Sequence, residues 1–293
     1  MQPHKPKSTT QIGKINTLEV LQETDDGFVL DGGNKDEIFL PKSRAPSNCK
    51  AGQKLKVFLY PENDGSIQAT CTTPKALVGE CAVLKAINII KAGAFMDWGI
   101  EKDLLVPVSQ QSSPMVEGKP YVVYLFLDPQ QRIIGSSKLH HFLDEDGKNM
   151  APGQAVDLLI VGKTDLGFKA VINGTHLGLL FKNEVFQSLR PGDKTRGYIK
   201  AIRADRKIDL SLHSHNKKSR EELTDRILAF LESNQGTSTL TDYSPPKTIY
   251  QQYGVSKGNY KKALGALYKR RLIRVTKEKI SLLTQQSRKT ANK

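Results

Sequence analysis

The sequence predicts a mainly β chain with a small α+β tail: three small closed barrels in tandem, then a helical module ending in a hairpin. Three observations predict it. A glycine-marked pattern occurs three times, apolar residues within each copy follow a period of two, and beyond residue 216 the period becomes helical. The copies start at Gly13, Gly79 and Gly153, continue at Gly27-Phe28, Gly93-Ala94-Phe95 and Gly167-Phe168, and carry a late glycine at Gly52, Gly118 and Gly192. A repeat of roughly 60 to 75 residues is too long for the common solenoid periods and long enough for each copy to enclose its own core. The expected modules are 1–75, 76–150 (the second barrel plus a linker), 151–216 and 217–293.

The second copy shows the strands most plainly. Glu80 to Ile90, Ala94 to Trp98, Asp103 to Val108, Tyr121 to Leu127 and Arg132 to Gly135 are five runs rich in β-branched and aromatic residues, separated by turn signals such as Ala92-Gly93, Gly99, Glu117-Gly118 and Asp128-Pro129. Five short strands in so few residues suggest a closed barrel, because an open sheet of that size would leave unpaired edges.

After a charged hinge, His213 to Ser219, the tail reads as helix, helix, glycine turn, helix and hairpin. Ser219 begins a capping-box-like helix with Leu223, Ile227, Leu228 and Leu231 on one face, ending near Gln235-Gly236. Ser244-Pro245-Pro246 opens a short helix reaching Tyr253, Gly254 turns the chain and Ser256 caps a third helix. Leu272 to Val275 and Lys279 to Leu283 form a two-stranded wing, which makes a winged helix-turn-helix. On the third helix Tyr260, Ala263, Leu264, Leu267 and Arg271 gather on one side, and Gly258, Lys262, Gly265 and Lys269 on the other, with Lys261 at its margin. The outer face is basic and nearly free of bulk, suited to close approach of a sugar-phosphate backbone and poorly suited to base readout.

Charge narrows the partner. The chain carries 44 Lys and Arg against 30 Asp and Glu, a net charge of +14. Residues 217–293 hold 17 Lys and Arg against 6 Asp and Glu, whereas residues 13–74 hold 7 against 9. A polyanion is the expected ligand, with the third barrel and the tail carrying most of the affinity through phosphate neutralisation. The N-terminus is polar and no stretch approaches a spanning helix, so a cytoplasmic protein without a membrane partner is expected. Cys49, Cys71 and Cys81 are odd in number and lack C-x-x-C spacing, which points to free thiols.

Gly93-Ala94-Phe95-Met96-Asp97-Trp98-Gly99, followed by Leu104-Leu105-Val106-Pro107-Val108-Ser109 and Gly118, resembles the Gly-Ala-Phe-Val-Asp-Leu-Gly … Gly-Leu-Val-His-Ile-Ser … Gly signature of the S1-type RNA-binding domain, an oligonucleotide-binding (OB) fold barrel. Asp205-Arg206-Lys207-Ile208-Asp209-Leu210-Ser211 is similar to that domain's last strand. Three such barrels and a basic winged-helix tail resemble the conserved virulence factor B family of bacterial S1-like RNA-binding proteins. Where the signature has His, this chain has Pro41, Pro107 and Phe181, so the first two copies lack that polar base-contacting group.

Strand parity selects candidates. Phe95 shares a face with Asp97 and is read as outward, a stacking platform for a base. Phe28 sides with Leu30, and Phe168 with Ala170 and Ile172, so those rings are assigned to cores and Lys169 takes the outward position of the third copy. Phe181, Arg196, Lys200, Arg203, Arg206 and Lys207 combine an aromatic ring with clustered cations on and beside the last two strands. In the tail the candidates are Lys257, Lys261, Lys262, Lys269, Arg270 and Arg274.

An enzyme would need a convergent set of acids, bases or metal ligands. His140-His141 and His213-x-His215 have no matching cluster, and no phosphate-cradling loop or nucleophile elbow is present, so neither catalysis, cofactor nor metal is expected. The expected activity is RNA binding, single strands above duplex, with low sequence specificity and a role in post-transcriptional regulation. The resemblance implies control of virulence-factor or stress genes. The alternatives are a DNA-binding transcription regulator that uses the winged helix, and a scaffold docking on the ribosome or polymerase.

Overall fold

The computed structural model describes residues 10–33, 37–62, 64–185, 187–214 and 217–283, and among these the side chains of 183 and 217–220 are not described. The chain divides into two compact units, 1–143 and 144–293. The first holds two closed barrels. One comprises β1 (Ile15–Glu23), β2 (Gly27–Asp31), β3 (Glu37–Pro41), β4 (Lys54–Pro61) and β5 (Ile67–Thr70); the other β6 (Cys81–Ile90), β7 (Gly93–Asp97), β8 (Leu104–Pro107), β9 (Pro120–Leu127) and β10 (Ile133–Ser136). The second unit holds a third barrel of β11 (Ala155–Lys163), β12 (Gly167–Ile172), β13 (His176–Phe181), β14 (Lys194–Ile202) and β15 (Ile208–Ser211). In each barrel the third and fifth strands pair in parallel and the remaining pairs are antiparallel. This is the five-stranded OB topology that the sequence predicts.

The repeated glycines have physical work in common. Gly27, Gly93 and Gly167 lie opposite Pro41, Pro107 and Phe181, and a Cβ on any of them would stand 2.3, 2.3 and 1.9 Å from the carbonyl oxygens of Leu40, Val106 and Leu180. Only glycine fits so close to a neighbouring backbone. The late glycines close the barrels: the N–H groups of Gly52, Gly118 and Gly192 donate to the carbonyls of Val20, Ala86 and Ile160 at 2.8, 2.8 and 2.7 Å. At these residues the first strand of each barrel is bulged, which bends it into two sheet surfaces.

Strand alternation builds the cores, and in β4 it builds two. Val57 and Leu59 point into the first barrel, while Phe58 and Tyr60 point outward and join the core of the second, with Ala76, Met96 and Trp98. The pair is fastened at its rim by Arg44, whose guanidinium pairs with Glu101 at 2.6 Å, donates to Gln68 Oε1 at 2.5 Å and also donates to the Tyr60 hydroxyl. Lys102 Nζ donates to the carbonyl of Pro61 at 2.6 Å. Burial pushes the Tyr60 phenol up to about 12, partly offset by Arg44.

The tail contains α1 (Lys217–Ser233), β16 (Thr237–Ser238), α2 (Pro246–Tyr253), α3 (Lys257–Lys269), β17 (Ile273–Val275) and β18 (Ile280–Leu282). Gly254 terminates α2 in the left-handed region at φ 66°, and the Ser256 hydroxyl caps α3 by accepting from Asn259 N–H at 3.3 Å, as expected. Two details differ. The first helix begins two residues before Ser219, because Lys217 and Lys218 favour helix; the Ser219 side chain, like His215 and Asn216, lies outside the described residues. The wing has a third strand, β16, paired with β18, too short to show a period. Leu223, Ile227, Leu231, Ile249, Tyr253, Tyr260, Leu264 and Leu267 pack together beneath Ile273 and Ile280. Among the described residues no helix is long and apolar enough to cross a membrane.

Candidate nucleic-acid interface

Counting from the tight glycine, Val29, Phe95 and Lys169 take the same outward position on the three barrels, opposite Phe39, Leu105 and Leu179. Their inward neighbours Leu30, Met96 and Ala170 are fully buried. Phe95 and Asp97 are both half-buried on the outer surface, where Lys75 pairs with Asp97 at 2.7 Å and holds its carboxyl below the usual range. Phe28 is buried and Phe168 packs against the third core, as parity requires.

The third barrel adds a groove to this surface. Its volume is ≈ 370 Å³, and it is lined by Thr164, Asp165 and Leu166 of the β11–β12 turn, by Lys169 and Leu179 on the strands, and by Arg203 and Lys207 of the β14–β15 turn. These are the strand face and the two loops with which OB barrels grip oligonucleotides. The floor is apolar, and the rim carries Lys169, Arg203 and Lys207 beside the carboxylates of Glu145 and Asp165; the apolar floor and the three cations match stacked bases under a phosphate chain. Arg203 is held by Asp209, Nε to Oδ1 3.1 Å. Burial raises the Asp209 carboxyl above its ordinary range, against the opposing influence of Arg203.

The remaining candidates are not all gathered there. Phe181 and Lys200 form a second group: Lys200 Nζ lies 6.0 Å from the centre of the Phe181 ring and pairs with Glu184 at 2.5 Å. Arg206, at the tip of the β14–β15 turn with φ 63°, pairs with Asp146 at 3.0 Å. Arg196 stands apart from the groove: it is exposed on β14 opposite Asp157 of β11, on a strand boundary away from β12 and β13. Sequence proximity grouped it with the turn cations, but it lies six residues before the end of β14 at Ile202, about 20 Å along the strand from the turn.

On the winged helix the predicted inner face is buried at Tyr260, Ala263, Leu264 and Leu267, except for Arg271, which is exposed. The helix ends at Lys269 and Arg271 adopts φ 54°, so helical spacing no longer applies to it. Lys261, Lys262, Lys269, Arg270 and Arg274 are exposed, and Lys257 is half-buried, donating to the carbonyl of Tyr243 at 3.4 Å. Lys261 approaches Asp242 at 3.8 Å. The outer face is less bare than expected: Tyr268 stands 60% exposed, one turn beyond Gly265. An aromatic ring on a basic helix is a stacking candidate that the charge pattern passed over. Leu166, Leu179 and Glu145, which line the third-barrel groove, were equally silent, because residues of separate segments become neighbours only on folding.

Two family models match the first barrel and the tail. The S1 domain family matches residues 12–72, and the CvfB-like winged helix domain family matches residues 225–282. The chain is 24% identical over 92% of its length to Conserved virulence factor B of Staphylococcus saprophyticus, covering 94% of that protein. It is 25% identical over 88% of its length to the uncharacterized protein YitL of Bacillus subtilis, covering 89% of it. A crystal structure of a multidomain protein with nucleic acid binding domains from Streptococcus pneumoniae aligns with 93% of this chain and 98% of its own at 23% identity, with a TM-score of 0.40. The resemblance to the conserved virulence factor B family extends along nearly the whole chain.

Proposed function

We propose that this chain, similar along its length to the conserved virulence factor B proteins, binds single-stranded RNA with low sequence specificity and regulates expression after transcription in the cytoplasm. The observation that carries the reading is the third-barrel groove, with its apolar floor and its rim of Lys169, Arg203 and Lys207. Flexible bases can lie on such a floor, whereas a rigid duplex presents only phosphates to it. The exposed lysines of α3 extend the cationic surface available to the backbone, and Phe95 offers a further stacking site on the second barrel. Binding without catalysis is the activity this surface supports. Regulation of virulence-factor or stress genes is the finer reading that the family resemblance implies, and the relatives' printed name, Conserved virulence factor B, supports its link to virulence.

A second reading, a DNA-binding transcription regulator, draws support from the basic outer face of α3 in a winged helix. Fluorescence anisotropy with matched single-stranded RNA, single-stranded DNA and duplex DNA separates the two, measured at two salt concentrations on the full chain and on a K262E/K269E variant. RNA preference with strong salt dependence supports the first reading. Duplex preference abolished by the helix substitutions supports the second.

A further inference from the structure

Two cations of the third-barrel groove, Lys169 and Lys207, and the neighbouring Arg206 are already engaged by carboxylates from the chain's own linker. Glu145 lines the groove, with Oε1 3.0 Å from Lys169 Nζ and Oε2 4.0 Å from Lys207 Nζ, and Asp146 Oδ2 lies 3.0 Å from a guanidinium nitrogen of Arg206. Asp144 N–H donates to the carbonyl of Thr175 at 3.0 Å, and its own carbonyl accepts from Leu177 N–H at 2.8 Å, a parallel bridge to the edge of β13. Gly147 N–H donates to the carbonyl of Arg206 at 2.9 Å. A Cβ on Gly147 would stand 2.6 Å from Ile202 and 2.8 Å from Ile208, so glycine lets the linker lie flat on the barrel. The carboxylates are themselves oriented: Asp144 Oδ1 accepts from Asp146 N–H at 2.8 Å, and Asp146 Oδ1 accepts from Lys148 N–H at 2.9 Å.

We propose that residues 144–146 are an internal phosphate mimic, an autoinhibitory contact that nucleic acid must displace to reach Lys169, Arg206 and Lys207. The pairs suit that task. All the side chains involved are between 30% and 65% exposed, so each pair is solvent-screened and weak enough to exchange. A phosphate carries the same charge as the carboxylate it would replace. Displacement consumes part of the binding free energy, so the groove discriminates against short or weakly charged ligands and favours strands long enough to engage other cations as well. The inference rests on the RNA-binding reading.

Its test compares the full chain with an E145Q/D146N variant in binding a fluorescent uridine 12-mer across a salt series. A charge-matched control, E222Q/E232Q, neutralises two exposed carboxylates of α1 that do not line the groove. The expected result is at least threefold tighter binding by E145Q/D146N alone at every salt concentration, because the phosphates that reach Lys169, Arg206 and Lys207 no longer displace a carboxylate. A G147V variant, which lifts the linker without altering charge, is expected to tighten binding in the same direction. Unchanged or weaker binding by E145Q/D146N, or equal tightening by the control, overturns the inference while leaving the RNA reading intact. Absence of binding by every form overturns both.

Discussion

The indole of Trp98 stands edge-on to the phenyl ring of Phe58, centroids 5.6 Å apart and planes at 84°, although the two rings belong to different barrels. Trp98 is 2% exposed and its Nε1–H donates to the carbonyl of Lys102, so the ring is fixed at both ends. Trp98→Ala should cost about 3–5 kcal/mol, and it should lower the stability of both barrels together. Denaturant unfolding followed by hydrogen exchange at strands of each barrel checks this; loss confined to the second barrel would contradict a shared core.

Phe95 is on the surface and contributes little to the second core. Phe95→Ala is expected to leave the melting temperature nearly unchanged and to weaken binding of single-stranded RNA by about 1–3 kcal/mol, the range for loss of one stacked base. Unaltered affinity would remove this ring from the interface.

Lys169 and Lys207 flank the third-barrel groove from a strand and a turn. The K169A/K207A variant should bind more weakly than the full chain, with a salt slope shallower by up to about 1.4. An unchanged slope would mean that neither ammonium meets a phosphate. Arg196, placed away from the groove, should tolerate Arg196→Ala with much smaller loss.

Tyr268 projects from the basic face of α3 and makes no contribution to the helical core. Tyr268→Ala should reduce affinity for single strands more than for duplex, since a duplex offers no free base to stack. Equal losses for both ligands would assign the ring to backbone packing instead.

Burial pushes the Cys81 thiol up to about 12 and raises Cys49 and Cys71 above the ordinary thiol range. Because the thiolate is the reactive form, a raised value means less alkylation at any pH below it, and at pH 8 the buried Cys81 thiol is far less ionised than an ordinary thiol. Iodoacetamide at pH 8 should label the folded chain slowly and all three thiols rapidly in guanidinium. Rapid labelling of Cys81 in the folded chain would contradict its placement.

The three barrels and the winged helix were legible because they are written in local rules. Period-two alternation put Met96 inside and Phe95 outside, helical spacing buried Tyr260 and Leu264, and glycines stood where only a bare backbone fits. Those rules state whether a side chain leaves its own core. They are silent on what meets it outside. Phe58 and Tyr60 obey strict alternation and point out of the first barrel, yet tertiary structure makes them core of the second. Likewise Lys169 was readable as outward, while its pairing with Glu145, 24 residues earlier, depended on how the linker lies against β13 and the β14–β15 turn. The sequence by itself determined the modules, their inner faces and the drift of positive charge toward the C-terminus. Tertiary structure decided which cations share a groove and which carboxylates hold them, because ion pairs between distant segments are set by the docking of backbones and leave no periodic trace in the chain.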